Sequence, residues 1–230
     1  MTKLALPDIV SNEKWEQALS ELLEHEKAHT RAGDKLASKR RLLPMVKVNE
    51  QFEFKGPGGN TSLLGLFEGR RQLIAYCAML EPGVAPCEGC SMVMDNIGHN
   101  LAHVHARDTT FVFTSPAPQT EIAALQQRMN WNAPWYTDPG RRFADAFGAG
   151  KGFAANVFIR DDVNRIYRTY FTTNRGGELF DTNFRLLDLT PYGRQEKWED
   201  SPTGWPQSEP YRWWRLHDDY DSEKRQCDIS

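Results

Sequence analysis

Residues 86–115 read PCEGCSMVMDNIGHNLAHVHARDTTFVFTS, from Pro86 to Ser115. Two cysteines separated by two residues open the stretch, and a helical periodicity follows. Cys90, Met94, Ile97, Leu101 and Val104 recur at steps of four, three, four and three, which puts them on one apolar helix face turned to a core. TTFVFTS then closes the stretch as an apolar run of buried-strand length. Just upstream, RQLIAYCAML is a second such run, ended by Glu81, Pro82 and Gly83. A strand, a helix and a strand in that order predict parallel pairing through a right-handed crossover.

The rest of the chain extends this unit. TEIAALQQRMNW is predicted to be an amphipathic helix with Ile122, Leu125 and Met129 on one side. ANVFIRD and RIYRTYFTT, separated by DVN, read as an antiparallel hairpin. GELFDTNFRLLDLTP reads as a helix carrying Leu179, Phe180, Phe184 and Leu187. Before the unit, Phe52 and Phe54 alternate with polar residues ahead of a turn at Gly56–Gly59, and TSLLGLF suggests a short helical turn. Ser11 to Leu43 is predicted helical, with Trp15, Leu19, Leu22, Leu36 and Leu43 sharing a face. Gly33 makes it two helices or one bent one, and Pro44 ends it. Lys39, Arg40 and Arg41 fall in its last turn, where cations suit the helix dipole. The expected fold class is α/β: a mixed central sheet with helices on both faces, an N-terminal helical extension and an aromatic-rich C-terminal tail. The expected organisation is an extension over residues 1–48, a central domain over 49–194, and a tail over 195–230 packed on it.

Composition excludes several function classes. The chain has 230 residues, 40% hydrophobic and 26% charged, with a net charge of −3. That is an ordinary globular composition, with no basic surplus for nucleic acid or an anionic membrane. No apolar run approaches the ~20 residues that span a bilayer. The N-terminal MTKLALPDIVSNEKWEQ turns acidic at once, unlike a secretory signal, so the expected location is cytoplasmic. The glycines at positions 56, 58 and 59 lack the Lys-Ser/Thr ending of a phosphate loop.

Four cysteines in 230 residues do not form a disulfide scaffold. Cys87 and Cys90 have three readings: a redox pair, half of a metal site, or small apolar residues. A pair that begins a helix after a buried strand favours redox chemistry over inert packing. Cys87, right behind Pro86, should lie at the open helix N-terminus, where unpaired N–H groups favour a thiolate. Cys90 should face the core and act as the resolving thiol. Glu88 opposes ionisation, so the predicted lowering of the Cys87 pKa is modest, and Gly89 is expected to keep the loop supple. His99 and His103 have ligand spacing, but a continuous helix climbs ~13 Å from Cys90 to His99, too far for one metal. No metal and no cofactor are expected. Cys77, inside a strand, should be an inert core residue. Cys227 is expected to be an incidental exposed thiol or a third redox partner.

GPGGNTSLLGLFEGRRQLIAYCAML, CEGCS, HARDTTFVFTSPAP, MNWNAPWYT, EHEKAHTRAGDKLASKRRLLPMV, RLLDLTPYGR and WWRLHDDY together resemble the thioredoxin-like family of predicted dithiol-disulfide oxidoreductases. This is a domain-of-unknown-function family near the alkyl-hydroperoxide-reductase and thiol-specific-antioxidant proteins. The resemblance implies a thioredoxin-like fold with an added N-terminal helix, and Cys87 and Cys90 match the dithiol positions. The chain departs from the wider pattern at several points. Glu88-Gly89 separates the cysteines where thioredoxins carry a proline. Val84 stands where peroxiredoxins place Thr or Ser. GKGFAANVF lacks the proline expected before the facing strand, so Ala154, Ala155 or Asn156 is expected to take that place.

The expected function is dithiol-disulfide exchange, Cys87 attacking and Cys90 resolving, on a disulfide-containing protein or a small thiol or disulfide. The alternatives are a peroxiredoxin-like thiol peroxidase and a non-catalytic interaction module of thioredoxin fold. Trp131, Trp135 and Tyr136 are the candidate substrate-binding residues, as aromatics expected to flank the dithiol. The tail aromatics Trp198, Trp205, Tyr211, Trp213 and Trp214 are expected to wrap over the domain or to form a homodimer contact. Arg175, beside two glycines, is a candidate for an anionic substrate, whereas Arg107 and Asp108 read as solvated. No nucleic-acid or membrane partner is expected.

Overall fold

The structure, a computed structural model, describes residues 6–220. Its elements are, in chain order, α1 (Asn12–Arg41), β1 (Val46–Lys47), β2 (Glu53–Gly56), β3 (Gly59–Ser62), β4 (Gln72–Cys77), α2 (Glu88–Ile97), α3 (Ala102–His105), β5 (Thr109–Ser115), α4 (Gln119–Met129), β6 (Trp135–Thr137), α5 (Arg142–Ala146), β7 (Ala154–Arg160), β8 (Ile166–Thr172) and α6 (Thr182–Leu187). They build one eight-stranded mixed sheet in the order β1-β8-β7-β4-β5-β6-β2-β3.

The centre of that sheet is a thioredoxin-like arrangement. β4 and β5 run parallel, joined by α2 and α3. β7 lies antiparallel on the other side of β4, and β8 antiparallel to β7. Strand alternation explains why the sheet is covered twice. From β4, Leu73, Ala75 and Cys77 face a core with Phe54, Phe67, Phe143 and Phe158. Tyr76, from the same strand, faces the other core, with Cys90, Phe111, Phe113, Ile122 and Met129. α2 and α4 cover the second face, and α5 contributes Phe143 and Ala144 to the first.

Four features depart from the sequence reading. The helix opening the 86–115 stretch is not continuous: α2 ends at Ile97, and a break through Gly98–Leu101 precedes α3. A Cβ at Gly98 would lie 2.4 Å from the Met94 carbonyl oxygen, so only glycine fits this tight exit. TSLLGLF forms β3 and then a 3-10 turn at Gly65–Phe67. GELFDTNFRLLDLTP is split, a 3-10 segment over Asn174–Phe180 preceding α6. Asp181 caps α6 by accepting from the Asn183 N–H at 2.8 Å. β1 and β6, of two and three residues, widen the sheet beyond the strands that the sequence suggests.

α1 is a single helix through Gly33, capped by Ser11 and ended by a basic last turn, and it has no buried residue. Trp15, Leu22 and Leu36 remain exposed, and Arg40 lies over the Tyr170 ring of β8 at 5.2 Å. No helix among the described residues is long and apolar enough to cross a membrane.

Candidate active site

β4 ends beneath the start of α2, and this junction holds the two cysteines. Cys87 is the N-cap residue in extended backbone conformation, and Cys90 sits in the first turn. Cys87 is half-buried and Cys90 is 4% exposed; both are free thiols. The Cys90 backbone places its sulfur inward, on the face shared with Met94, as the helical spacing requires. The Met79 N–H donates to the Cys90 sulfur at 3.4 Å, and the Tyr76 hydroxyl donates to it at 3.7 Å.

The two sulfurs are inequivalent. A hydrogen bond from the Cys90 thiol holds the Cys87 pKa down at about 6. Burial opposes this, the backbone N–H groups of Cys90 and Gly89 assist it, and the Glu88 charge opposes it. Cys90 moves the opposite way. Its bond to Cys87, then burial, then the Cys87 charge keep its proton in place well above the ordinary thiol range. The fall at Cys87 exceeds the modest one expected from the helix N-terminus and Glu88, because the largest cause is the second thiol. Cys77 is sealed in the opposite core, and burial pushes its pKa up to about 12. Cys227 lies outside the described residues.

A cavity of about 360 Å³ opens on the pair. Tyr76, Met79 and Phe153 form one side and Phe184, Tyr211 and Trp214 another. Phe153 stacks on Tyr76 with ring centroids 5.4 Å apart. Phe153, one residue before β7, thus lines the cavity together with Tyr76. Gly89 lets the tail approach. A Cβ there would lie 2.6 Å from the Trp214 ring, so the glycine serves close packing rather than loop suppleness.

The tail wall has its own anchor. Glu196 is fully buried and accepts from the Trp198 indole N–H at 2.5 Å, the Trp213 indole N–H at 2.8 Å and the Tyr211 backbone N–H at 2.7 Å. Arg194, 8% exposed, pairs with Asp188 and Glu178 and lies over the Phe184 ring at 4.3 Å. Leu216 is buried in the core that holds Cys90.

The aromatic residues singled out from the sequence lie elsewhere. Trp131 and Trp135 are buried in that core, their indole N–H groups donating to Asp95 at 2.7 Å and Ser115 at 2.9 Å. Tyr136 packs on the opposite face, against Gly56. None of the three lines the cavity. Arg175 does line it, paired with Glu178 at 2.9 Å and stacked 4.6 Å over Trp198. Tyr76 and Phe153, which sequence reading missed, carry only the signal of position: one is next to last in the strand before the cysteines and one precedes the facing strand. His99 and His103 are exposed, and no group of three or more His, Cys, Asp or Glu suited to a metal occurs among the described residues.

No curated protein matches the sequence. Among solved structures, the chain is similar to thioredoxin peroxidase I of Plasmodium yoelii, at 13% identity over 63% of this chain and 88% of that one, TM-score 0.43. It is similar to peroxidoxin BcpB of Mycobacterium tuberculosis, at 18% identity over 63% and 97%, TM-score 0.43. It is also similar to the exposed lipoprotein thioredoxin Etrx1 of Streptococcus pneumoniae, at 12% identity over 56% and 95%, TM-score 0.41. The family model described as bacterial protein of unknown function (DUF899) matches residues 4–220. The chain therefore belongs to the DUF899 family of bacterial proteins.

Proposed function

We propose that this protein exchanges dithiol for disulfide, with Cys87 as attacking thiol and Cys90 as resolving thiol. The observation that supports this most is the asymmetry of the pair: an acidic, half-buried Cys87 held by a sealed, proton-retaining Cys90. The Cys87 thiolate attacks one sulfur of a substrate disulfide. A mixed disulfide forms and the other substrate sulfur leaves as a thiolate that takes up a proton.

The same step changes Cys90. While Cys87 is a thiolate, its charge and its hydrogen bond keep Cys90 protonated. Once Cys87 is in the mixed disulfide, that charge is gone. The Met79 N–H and the Tyr76 hydroxyl remain aimed at the Cys90 sulfur, and both stabilise a thiolate there. Cys90 then loses its proton and attacks the Cys87 sulfur, releasing the second substrate thiol. The chain has lost two electrons, and the substrate has gained them. A cytoplasmic location, where close cysteine pairs are kept reduced, suits this cycle, and no cofactor takes part in it.

A thiol peroxidase is the second reading. It would need a hydroxyl donor beside the reactive sulfur, yet Val84 stands three positions before Cys87 and is exposed. The nearby Ser91 hydroxyl is engaged with the Cys87 carbonyl at 2.9 Å. Stopped-flow oxidation of the reduced protein separates the readings. Exchange predicts a bimolecular rate with bis(2-hydroxyethyl) disulfide at least tenfold above that with hydrogen peroxide. A peroxide rate greater than the disulfide rate would replace the exchanger with a peroxidase.

A further inference from the structure

We infer that the substrate is a small, neutral, largely apolar disulfide rather than a protein disulfide. This rests on the exchange reading and says which molecules reach Cys87. A dithiol that serves folded proteins must offer its sulfur on a surface that a second protein can cover. Here the C-terminal tail stands against that surface. The Trp214 ring lies directly on Gly89, between the two cysteines in sequence, and the Tyr211 ring packs on Trp214 at 4.6 Å. Phe184 continues the wall, 6.0 Å from Trp214. Phe153 and Tyr76 close the opposite side.

The cavity, partly open to solvent, has a volume of about 360 Å³, room for about a dozen waters at about 30 Å³ each, which matches the bulk of a small organic molecule. Aromatic and methionine side chains line it, so the body of the substrate is apolar. The charges select against anions. Asp181 lines the cavity beside the Arg175–Glu178 pair, and Glu178 pairs with Arg194 as well, so Arg175 is not a free cation waiting for an anion. The Cys87 thiolate adds another negative charge. A carboxylate-bearing disulfide meets repulsion there.

The chemistry is that of the exchange cycle. Cys87 forms a bond to one sulfur of R–S–S–R while that S–S bond breaks and RS⁻ leaves, taking a proton. Cys90 then forms the Cys87–Cys90 disulfide and expels the second RS⁻. One turnover consumes the dithiol and needs no other reactant.

The test is a single turnover of the reduced full chain with bis(2-hydroxyethyl) disulfide, dipropyl disulfide, 3,3′-dithiodipropionate and insulin. Each rate is divided by that of dithiothreitol with the same disulfide, which removes intrinsic reactivity. The inference predicts that the two neutral dialkyl disulfides lead both the dianion and insulin by tenfold or more. It also predicts that Trp214→Ala narrows the lead over insulin at least threefold, and Tyr211→Ala, a milder opening of the same wall, narrows it less. Equal normalised rates for insulin and the neutral disulfides, or an unchanged lead in both variants, would overturn the inference and leave the exchange reading standing. No reaction with any disulfide would overturn the exchange reading itself, and the inference with it.

Discussion

Cys87→Ser is expected to lower the rate of disulfide exchange by about a thousandfold or more, while Cys90→Ser stops the reaction one step later. The two variants separate because the sulfurs have different duties. A serine hydroxyl is not ionised at neutral pH, so the first variant has no nucleophile at the helix N-terminus. Cys90 cannot take over, being 4% exposed and holding its proton behind Cys87. In Cys90→Ser, Cys87 still attacks, and the serine hydroxyl can still donate to its sulfur. Resolution fails, so the mixed disulfide accumulates and adds the mass of one substrate thiol to the protein. Rapid-quench mass spectrometry reads both outcomes. Equal loss in both variants with no adduct would remove the assigned order of attack.

The second large effect is expected far from the cysteines in sequence. Glu196→Ala should destabilise the protein by about 3 kcal/mol, through loss of a fully buried acceptor that leaves three part-buried donors unpaired. Those donors are the indole N–H groups of Trp198 and Trp213 and the backbone N–H of Tyr211. For a chain of this size such a loss lowers Tm by roughly 6–12 °C. Tyr211 and Trp214 belong to the same tail segment and line the cavity, so tryptophan emission should shift to the red before the main unfolding transition. Glu196→Gln keeps one acceptor oxygen but turns an amide N–H toward a donor, and should fall between the two. Urea titration with fluorescence detection measures all three. A Glu196→Ala variant as stable as the parent would mean that the tail is held by something other than this buried carboxylate.

The parts of the fold legible in the sequence are those that physics makes local. RQLIAYCAML and TTFVFTS are buried on both faces, so their apolar runs announce β4 and β5. The β7–β8 hairpin shows itself through DVN between two β-branched and aromatic runs. Cys90 could be aimed inward from helical phase alone, and Cys87 could be placed at the helix mouth from Pro86. What the sequence hid depends on distant residues. β6 has three residues and gains its strand character from pairing with β5 on one side and β2 on the other. The helix break at Gly98 looks, in sequence, like one tolerated glycine in a continuous stripe. Trp131, Trp135 and Tyr136 are near the second helix in sequence, but packing sends two to the core and one to the far face. The cavity wall is the clearest case. Phe153, Phe184 and the Tyr211–Trp214 stretch come from three separate segments and meet only because the tail folds back onto α2. Even the acidity of Cys87 was partly hidden: its main cause is a hydrogen bond from Cys90, visible only when both side-chain directions are known.

On the proposed mechanism, Cys87 is a thiolate at neutral pH because Cys90 and the helix N-terminus hold it so. The most direct measurement is the pH dependence of iodoacetamide alkylation at Cys87, followed by peptide mass spectrometry on the reduced full chain and on Cys90→Ala. The predicted profile for the parent rises with a midpoint near pH 6, and the midpoint moves upward in Cys90→Ala, which lacks the thiol donor. A parent midpoint near the ordinary thiol value of about 8.5, unchanged when Cys90 is replaced, would contradict the account.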